Sequence, residues 1–130
     1  MSQLFDSSIG VLSKSMDMYL LRHSVISDNI ANAETPGFKA RRVDFEAELQ
    51  RAVTANETAG EDQVFRELSS LQPAVSEEMG SERGQDLNTV DMDREMAAMT
   101  KNDVKYASAT QMISKKFALL KYAISEGGER

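Results

Sequence analysis

The sequence predicts a mostly α-helical chain, with long N- and C-terminal helices paired as an antiparallel coiled coil and a short irregular middle region. Three observations predict it. Apolar residues near each end recur in steps of three and four, an acidic stretch without regular patterning separates the two runs, and a Pro-Gly pair stops the first. The expected organisation is an N-terminal helix over residues 1–35, a turn, short helix and flexible acidic connector over 36–90, and a C-terminal helix over 91–126.

In the first helix Phe5, Ile9, Leu12, Met16, Tyr19, His23, Ile26, Ile30 and Ala33 are spaced alternately by four and three, a heptad seam. Gly10 sits beside it and weakens the early turns by roughly 1 kcal/mol. At the other end Met92, Met96, Met99, Asp103, Tyr106, Thr110, Ile113, Phe117, Leu120 and Ile124 keep the same rhythm. Val104 and Ala107 widen that stripe beside its two polar members, Asp103 and Thr110. Asp91 is placed to cap this helix, and Asp93 and Glu95 suit its electropositive start. Lys115, Lys116 and Lys121 suit its electronegative end, and Gly127-Gly128 stops it.

Each seam requires a partner, and antiparallel pairing within the chain supplies one. A register that sets Phe5 against Ile124 brings His23 near Tyr106 and Asp103, so that buried polar groups satisfy one another. Methionines at seam spacing read as core rather than as a promiscuous groove. His23 reads as a packing or interface histidine rather than a general base, because no nucleophile is tied to it by spacing. Two helices with one buried seam have a poor surface-to-volume ratio, so side-by-side packing of subunits is the expected remedy.

Between the helices, Pro36 ends the first and pushes Thr35 toward extended backbone. Pro36-Gly37 suits the centre of a type II turn, with Gly37 supplying positive φ. Asn29 and Asn32 stand on the last helical turns, where their amides can bond exposed carbonyls or a neighbouring chain. FKARRVDF reads as extended, and Asp44 as the cap of a short helix with Phe45, Leu49 and Val53 on one side. Composition alone reads NIANAETPGFK as an ordinary helix stop; an exactingly shaped polar turn between apolar elements also suits an intersubunit contact. Beyond residue 54, Phe65, Leu68, Leu71, Val75 and Met79 are scattered among acids, Ser and Gly, and no architecture is assigned there.

Composition removes several function classes. The chain has 130 residues, a net charge of −6, no Cys, no Trp and a single His. A thiol nucleophile, a disulfide and a cysteine-ligated metal are excluded. No apolar run is long enough to span a bilayer, and the N-terminus does not read as a cleaved signal peptide. Charge is uneven: −1 over residues 1–56, −8 over 57–95 and +3 over 96–130. Arg41-Arg42 and Lys115-Lys116 are too short for a phosphate-tracking stripe, so no nucleic acid is expected. Asp91, Asp93 and Glu95 crowd a helix start, where capping accounts for them better than hydrolysis does.

Two stretches carry a resemblance. SDNIANAETPGFKARRVDFEAEL (Ser27 to Leu49) and VDMDREMAAMTKNDVKYASATQMISKKFALLKYAIS (Val90 to Ser125) closely resemble the flagellar basal-body rod proteins. The resemblance implies a non-enzymatic axial structural subunit without cofactor, metal or small-molecule substrate. It implies terminal helices that line a central export channel, export by the flagellar type III apparatus, and helical polymerisation in the periplasm as part of the drive shaft. The neighbours it implies are copies of the chain, the proximal rod proteins FlgC and FlgF, and the rod-base adaptor FliE. Members often carry a DGNNVD-like turn before DREM; here GQDLNTVDMDREM places Leu87 and Thr89 there. The short middle implies no large outer domain.

The assembly residues expected on this reading are Asn29, Asn32, Pro36, Gly37, Phe38, Arg41 and Arg42 around the turn, and Met99, Tyr106, Ile113, Phe117 and Leu120 on the C-terminal helix. The competing class is a soluble helical adaptor or chaperone that binds a partner helix in a Met-rich groove.

Overall fold

A computed structural model describes residues 2–58, 61–78 and 86–127, and side chains over 8–54, 66–78 and 86–125. Of the residues used in the sequence reading, Met79 and Gly128 lie outside the described residues, and Phe5 and Phe65 have side chains outside that set. The order is α1 (Ser2–Ala31), β1 (Arg41–Asp44), α2 (Glu46–Thr58), α3 (Glu61–Ser70), β2 (Ala74–Glu77) and α4 (Met92–Gly127). The two terminal helices dominate and lie antiparallel: Asn29 meets Glu95, His23 meets Asp103, and Asn102 donates to the Tyr19 carbonyl.

Both helix boundaries have local causes. α1 closes with tight bonds from Asn32 N to the Asp28 and Asn29 carbonyls and from Ala33 N to Ile30 O. Phe38 N then bonds Thr35 O at 3.2 Å across Pro36-Gly37, and Gly37 has φ +74°, the expected type II turn. α4 starts where Asp91 Oδ1 accepts from Arg94 N at 3.3 Å and Asp91 O accepts from Glu95 N.

The seam runs differently from the apolar grid. Glu95, Asn102 and Ala109 are the buried residues of α4, with Met99, Tyr106, Ile113 and Leu120 half-buried beside them. Alternate positions thus lie one residue before the grid members Met96, Asp103 and Thr110. Met92, Met96 and Met112 are about half exposed, and so is Phe117, so the methionine stripe is not core. Val104 is exposed as well. Asn102 and Ala109 on this line are compact, and the larger Glu95 is held there by the Asn29 amide and the Arg42 guanidinium; Met92 and Met96 stand on the exposed flank.

The core lies elsewhere, between α1 and the middle region. Met18, Val25, Val43, Phe45 and Leu71 form it, with Tyr19, Leu21 and Leu49 packed against it. Ala52 and Leu68 extend it, flanked by Val11 and Leu49. α1 therefore has a second stripe, Val11, Ser15, Met18, Arg22, Val25 and Asn29, also stepped by four and three. Its three polar members hid it from a purely apolar count.

Phe45 is fully buried, edge-on to Tyr19 at 5.4 Å and beneath the Arg22 guanidinium at 4.5 Å. Its carbonyl accepts from Leu49 N at 2.9 Å, so Phe45 holds the N-cap position of α2, and Asp44 is instead the last residue of β1. β1 pairs antiparallel with β2, Arg41 opposite Glu77 and Asp44 opposite Ala74. The stretch left without architecture thus contributes α3 and a strand, with Leu68 and Leu71 as its buried anchors while Val75 stays exposed.

Candidate functional site

The turn and the start of α4, far apart in sequence, meet in one polar junction. Asn29 is fully buried. Its Nδ2 donates to the Arg41 carbonyl at 2.9 Å and its Oδ1 accepts from Arg41 N at 2.9 Å, so one amide serves the outer edge of β1 at two points. The same Nδ2 donates to Glu95 Oε2 at 3.0 Å. Glu95, also fully buried, meets Arg42 Nη1 at 2.6 Å through Oε1. Arg42 reaches Glu78 at 3.0 Å, and Glu78 takes Arg94 at 2.5 Å. A carboxylate without solvent is tolerated only with such partners: Oε2 accepts the Asn29 hydrogen bond, while Oε1 has the charge of Arg42 beside it at 2.6 Å but no well-aligned hydrogen bond.

Asn88 makes the second tie. Its Nδ2 donates to the carbonyls of Asn32, Ala33 and Thr35 at 2.8–3.0 Å, closing the open end of α1. Residues 86–89 run along the turn: Gly37 N donates to Asp86 O, Thr89 N to Phe38 O, and Ala40 N to Thr89 Oγ1. Thr89 is buried and bonded, whereas Leu87 takes φ +60° with its side chain half exposed. The departures from a DGNNVD-like turn therefore have opposite consequences, one used by the fold and one strained.

Arg22 is the third tie. It bonds the Val43 carbonyl through Nε and Nη2 and grips Glu46 at 2.7 and 2.6 Å, while Lys105 of α4 reaches Glu46 at 3.3 Å. Arg22 holds the Glu46 carboxyl down at about 2, assisted by Lys105 and opposed by partial burial.

The expected assembly residues divide accordingly. Asn29, Asn32, Arg41 and Arg42 all make bonds within the chain; Asn32 Nδ2 donates to Asp28 O and Arg41 pairs with Asp28 at 2.8 Å. Pro36 and Gly37 are exposed and Phe38 is half-buried. On α4, Met99, Tyr106, Ile113 and Leu120 are half-buried and Phe117 is exposed. His23 Nδ1 lies 2.9 Å from Asp103 Oδ1, the predicted proximity, although both side chains are about half exposed rather than buried. Sequence reasoning missed Arg22, Glu78, Asn88 and the inward role of Glu95. The DREM acid read as a dipole partner, and only its contact with Asn29 and Arg42 distinguishes it.

Toward its end α4 exposes Met112, Phe117, Leu119, Tyr122 and Ile124. Among the described residues no cluster of acidic or histidine side chains is arranged to hold a metal ion, and no helix is long and apolar enough to cross a membrane.

The model of the "Flagella basal body rod protein" family matches residues 21–39, the end of α1 and the turn. The flagellar basal body rod protein FlgB of Borrelia hermsii is 38% identical over 121 residues, covering 84% of this chain and 89% of that protein. FlgB of Bacillus subtilis strain 168 is 28% identical over 126 residues, covering 95% and 98%. FlgB of Escherichia coli K12 is 29% identical over 119 residues, covering 84% and 86%. With a relative 38% identical across 84% of this chain and 89% of its own length, the chain belongs to the FlgB family of flagellar basal body rod proteins.

Proposed function

We propose that this chain is a subunit of the proximal rod, polymerising with its own copies and other rod proteins around the export channel. Family membership makes it a structural, non-enzymatic component of the flagellar basal body rod. The observation that carries the finer reading is the apolar surface exposed along the C-terminal third of α4, where Leu119, Tyr122 and Ile124 are 59%, 60% and 75% exposed. Apolar surface on that scale is stabilised by contact with a neighbour. FlgC, FlgF and FliE are the proposed neighbours within the basal body, and the flagellar type III apparatus the proposed exporter. The turn at Pro36-Gly37, with Phe38 and Arg41 beside it, is proposed to set how the middle region meets an adjoining subunit. Held by Asn88 and Asn29, that turn is rigid enough to serve as a geometric reference.

Complementation tests this. A tagged copy, expressed in a bacterium deleted for its own FlgB, should restore swimming and co-purify with basal bodies. Cross-links from the tagged copy to FlgC, FlgF or FliE would identify its neighbours. Swimming without the tagged chain in purified basal bodies would overturn the rod reading.

A further inference from the structure

The β1–β2 sheet has two outer edges, and the fold treats them differently. Asn29 bonds both the carbonyl and the N–H of Arg41, and Arg22 bonds the Val43 carbonyl, so α1 side chains plug the outward backbone of β1. Residues opposite each other in an antiparallel pair alternate between exchanging two bonds and exchanging none. Arg41 and Val43 face α1, so Glu77 and Val75 opposite them turn their own N–H and C=O away from β1. The bond from Glu78 N to Ala40 O at 2.7 Å has the same phase. All of β2 is exposed, and among the described residues no bond outside the β1 ladder reaches the backbone of Val75 or Glu77. An edge of this kind accepts another extended strand.

A second copy can offer this sheet only the same edge, because its β1 side is plugged. The β2 edge is its own complement: its outward groups stand on either side of Ser76, and Pro73, which has no N–H, bounds them. We propose that β2 of one copy pairs antiparallel with β2 of a second, Ser76 opposite Ser76 and each Val75 opposite the other copy's Glu77, so that two sheets become one. Both Val75–Glu77 pairs then exchange two backbone bonds. Val75 already lies opposite the buried Val43, so the added strand extends an existing apolar face. The two Glu77 side chains fall on a diagonal rather than directly opposite, each across from Arg41 of its own copy, which also pairs with Asp28. The contact is isologous and closes at two copies. A strand pair of four residues buries far less than a stable dimer needs, so the dimer forms only in concentrated solution. Its copies run in opposite directions, which makes it a state of the free chain and not a contact of the proposed polymer. It covers, before assembly, an edge that would otherwise recruit other strands.

The chain has no Cys, so single substitutions report the register. Ser76 and its counterpart form a non-bonded pair with Cα atoms roughly 4.5 Å apart, within reach of a disulfide. In a glutathione redox buffer, concentrated full chain carrying Ser76→Cys should yield a disulfide dimer. Chains carrying Val75→Cys or Glu77→Cys should cross-link poorly alone and readily when mixed with each other. Adding Val75→Pro to Ser76→Cys removes one outward N–H from each copy, leaves the β1 ladder intact, and should lower the dimer yield about tenfold at an unchanged thermal melt. Amide hydrogen exchange followed by NMR checks the unmodified chain. The Val75 and Glu77 amides should gain protection as concentration rises, whereas the Ser76 amide, which faces β1, should change least. Equal cross-linking at all three positions would indicate random collision, and self-cross-linking best at Val75→Cys another register; either would overturn the proposal. So would exchange at Val75 and Glu77 that is indifferent to concentration, or Ser76→Cys that joins only another rod protein in recovered basal bodies. The measurements on purified chain stand apart from the rod reading, because none of them requires incorporation into a basal body.

Discussion

Leu87 carries a Cβ at φ +60°, where glycine or asparagine sits without strain. Its side chain is half exposed, so little burial offsets that cost. Leu87→Gly should stabilise the monomer by about 1 kcal/mol, read as a higher urea midpoint at unchanged slope. A lower midpoint would show that the Leu87 side chain contributes more by packing than its backbone loses. Glu46 gives a second test at this scale. Its carboxyl is held from 4.5 down to about 2, chiefly by hydrogen bonds from Arg22. A lowered folded-state value means the contribution is complete above pH 4.5 and is lost as pH falls through about 2. The side chain is about half exposed, so solvent screening keeps the stability effect small. NMR titration should place the Glu46 midpoint near pH 2, returning toward 4.5 in Arg22→Ala. Glu46→Gln should flatten the acid limb of stability between those values.

Between elements, polar side chains join what apolar packing alone would leave loose. The end of α1, β1 and the start of α4 meet at Asn29, Arg42 and Glu95, with Asn88 closing the helix end. Glu95→Ala leaves Arg42 with Glu78 only and removes an acceptor from the buried Asn29 amide. The expected loss is about 3 kcal/mol, measurable by chemical unfolding. Glu95→Gln, which keeps the shape and an acceptor for Asn29, should lose less. If both substitutions proved neutral, the junction would not hold these elements together. The helices themselves were legible because 4-3 apolar spacing needs only local information. The junction was not, because Asn, Glu and Arg also suit caps, dipoles and solvated faces, and only proximity between residues far apart in sequence, 66 in the case of Asn29 and Glu95, selects among those roles.

For the whole molecule, the decisive feature is that α4 keeps a half-buried line of Met99, Tyr106, Ile113 and Leu120 along its length while Phe117, Leu119, Tyr122 and Ile124 stand exposed toward its end. Ile113 and Phe117 lie one turn apart, but Ile113 is half-buried and Phe117 is 54% exposed. Ile113→Asp should lower monomer stability by about 2 kcal/mol or more, because a carboxylate enters the seam. Phe117→Asp should change it by no more than about 0.5 kcal/mol while impairing rod incorporation. Thermal unfolding of purified monomers beside basal-body fractionation separates the two effects. Equal destabilisation by both would restore Phe117 to the seam. Normal incorporation of Phe117→Asp would remove it from the assembly surface.

The sequence by itself determined the two long helices, their antiparallel pairing, the stop at Pro36-Gly37 and the proximity of His23 to Asp103. Each follows from spacing or from the backbone limits of a single residue type. It also carried the family resemblance, because both signature stretches are contiguous. Tertiary structure decided where the core lies and which residues along α4 face inward. An apolar count finds the stripe with the most apolar side chains; the buried stripe of α4 is Glu95, Asn102 and Ala109, two of them polar residues that bond across to α1. The second stripe of α1 gained its partner only when Phe45, Leu68 and Leu71 folded onto it, since a face interrupted by Ser15, Arg22 and Asn29 becomes a core face only after those polar groups find partners.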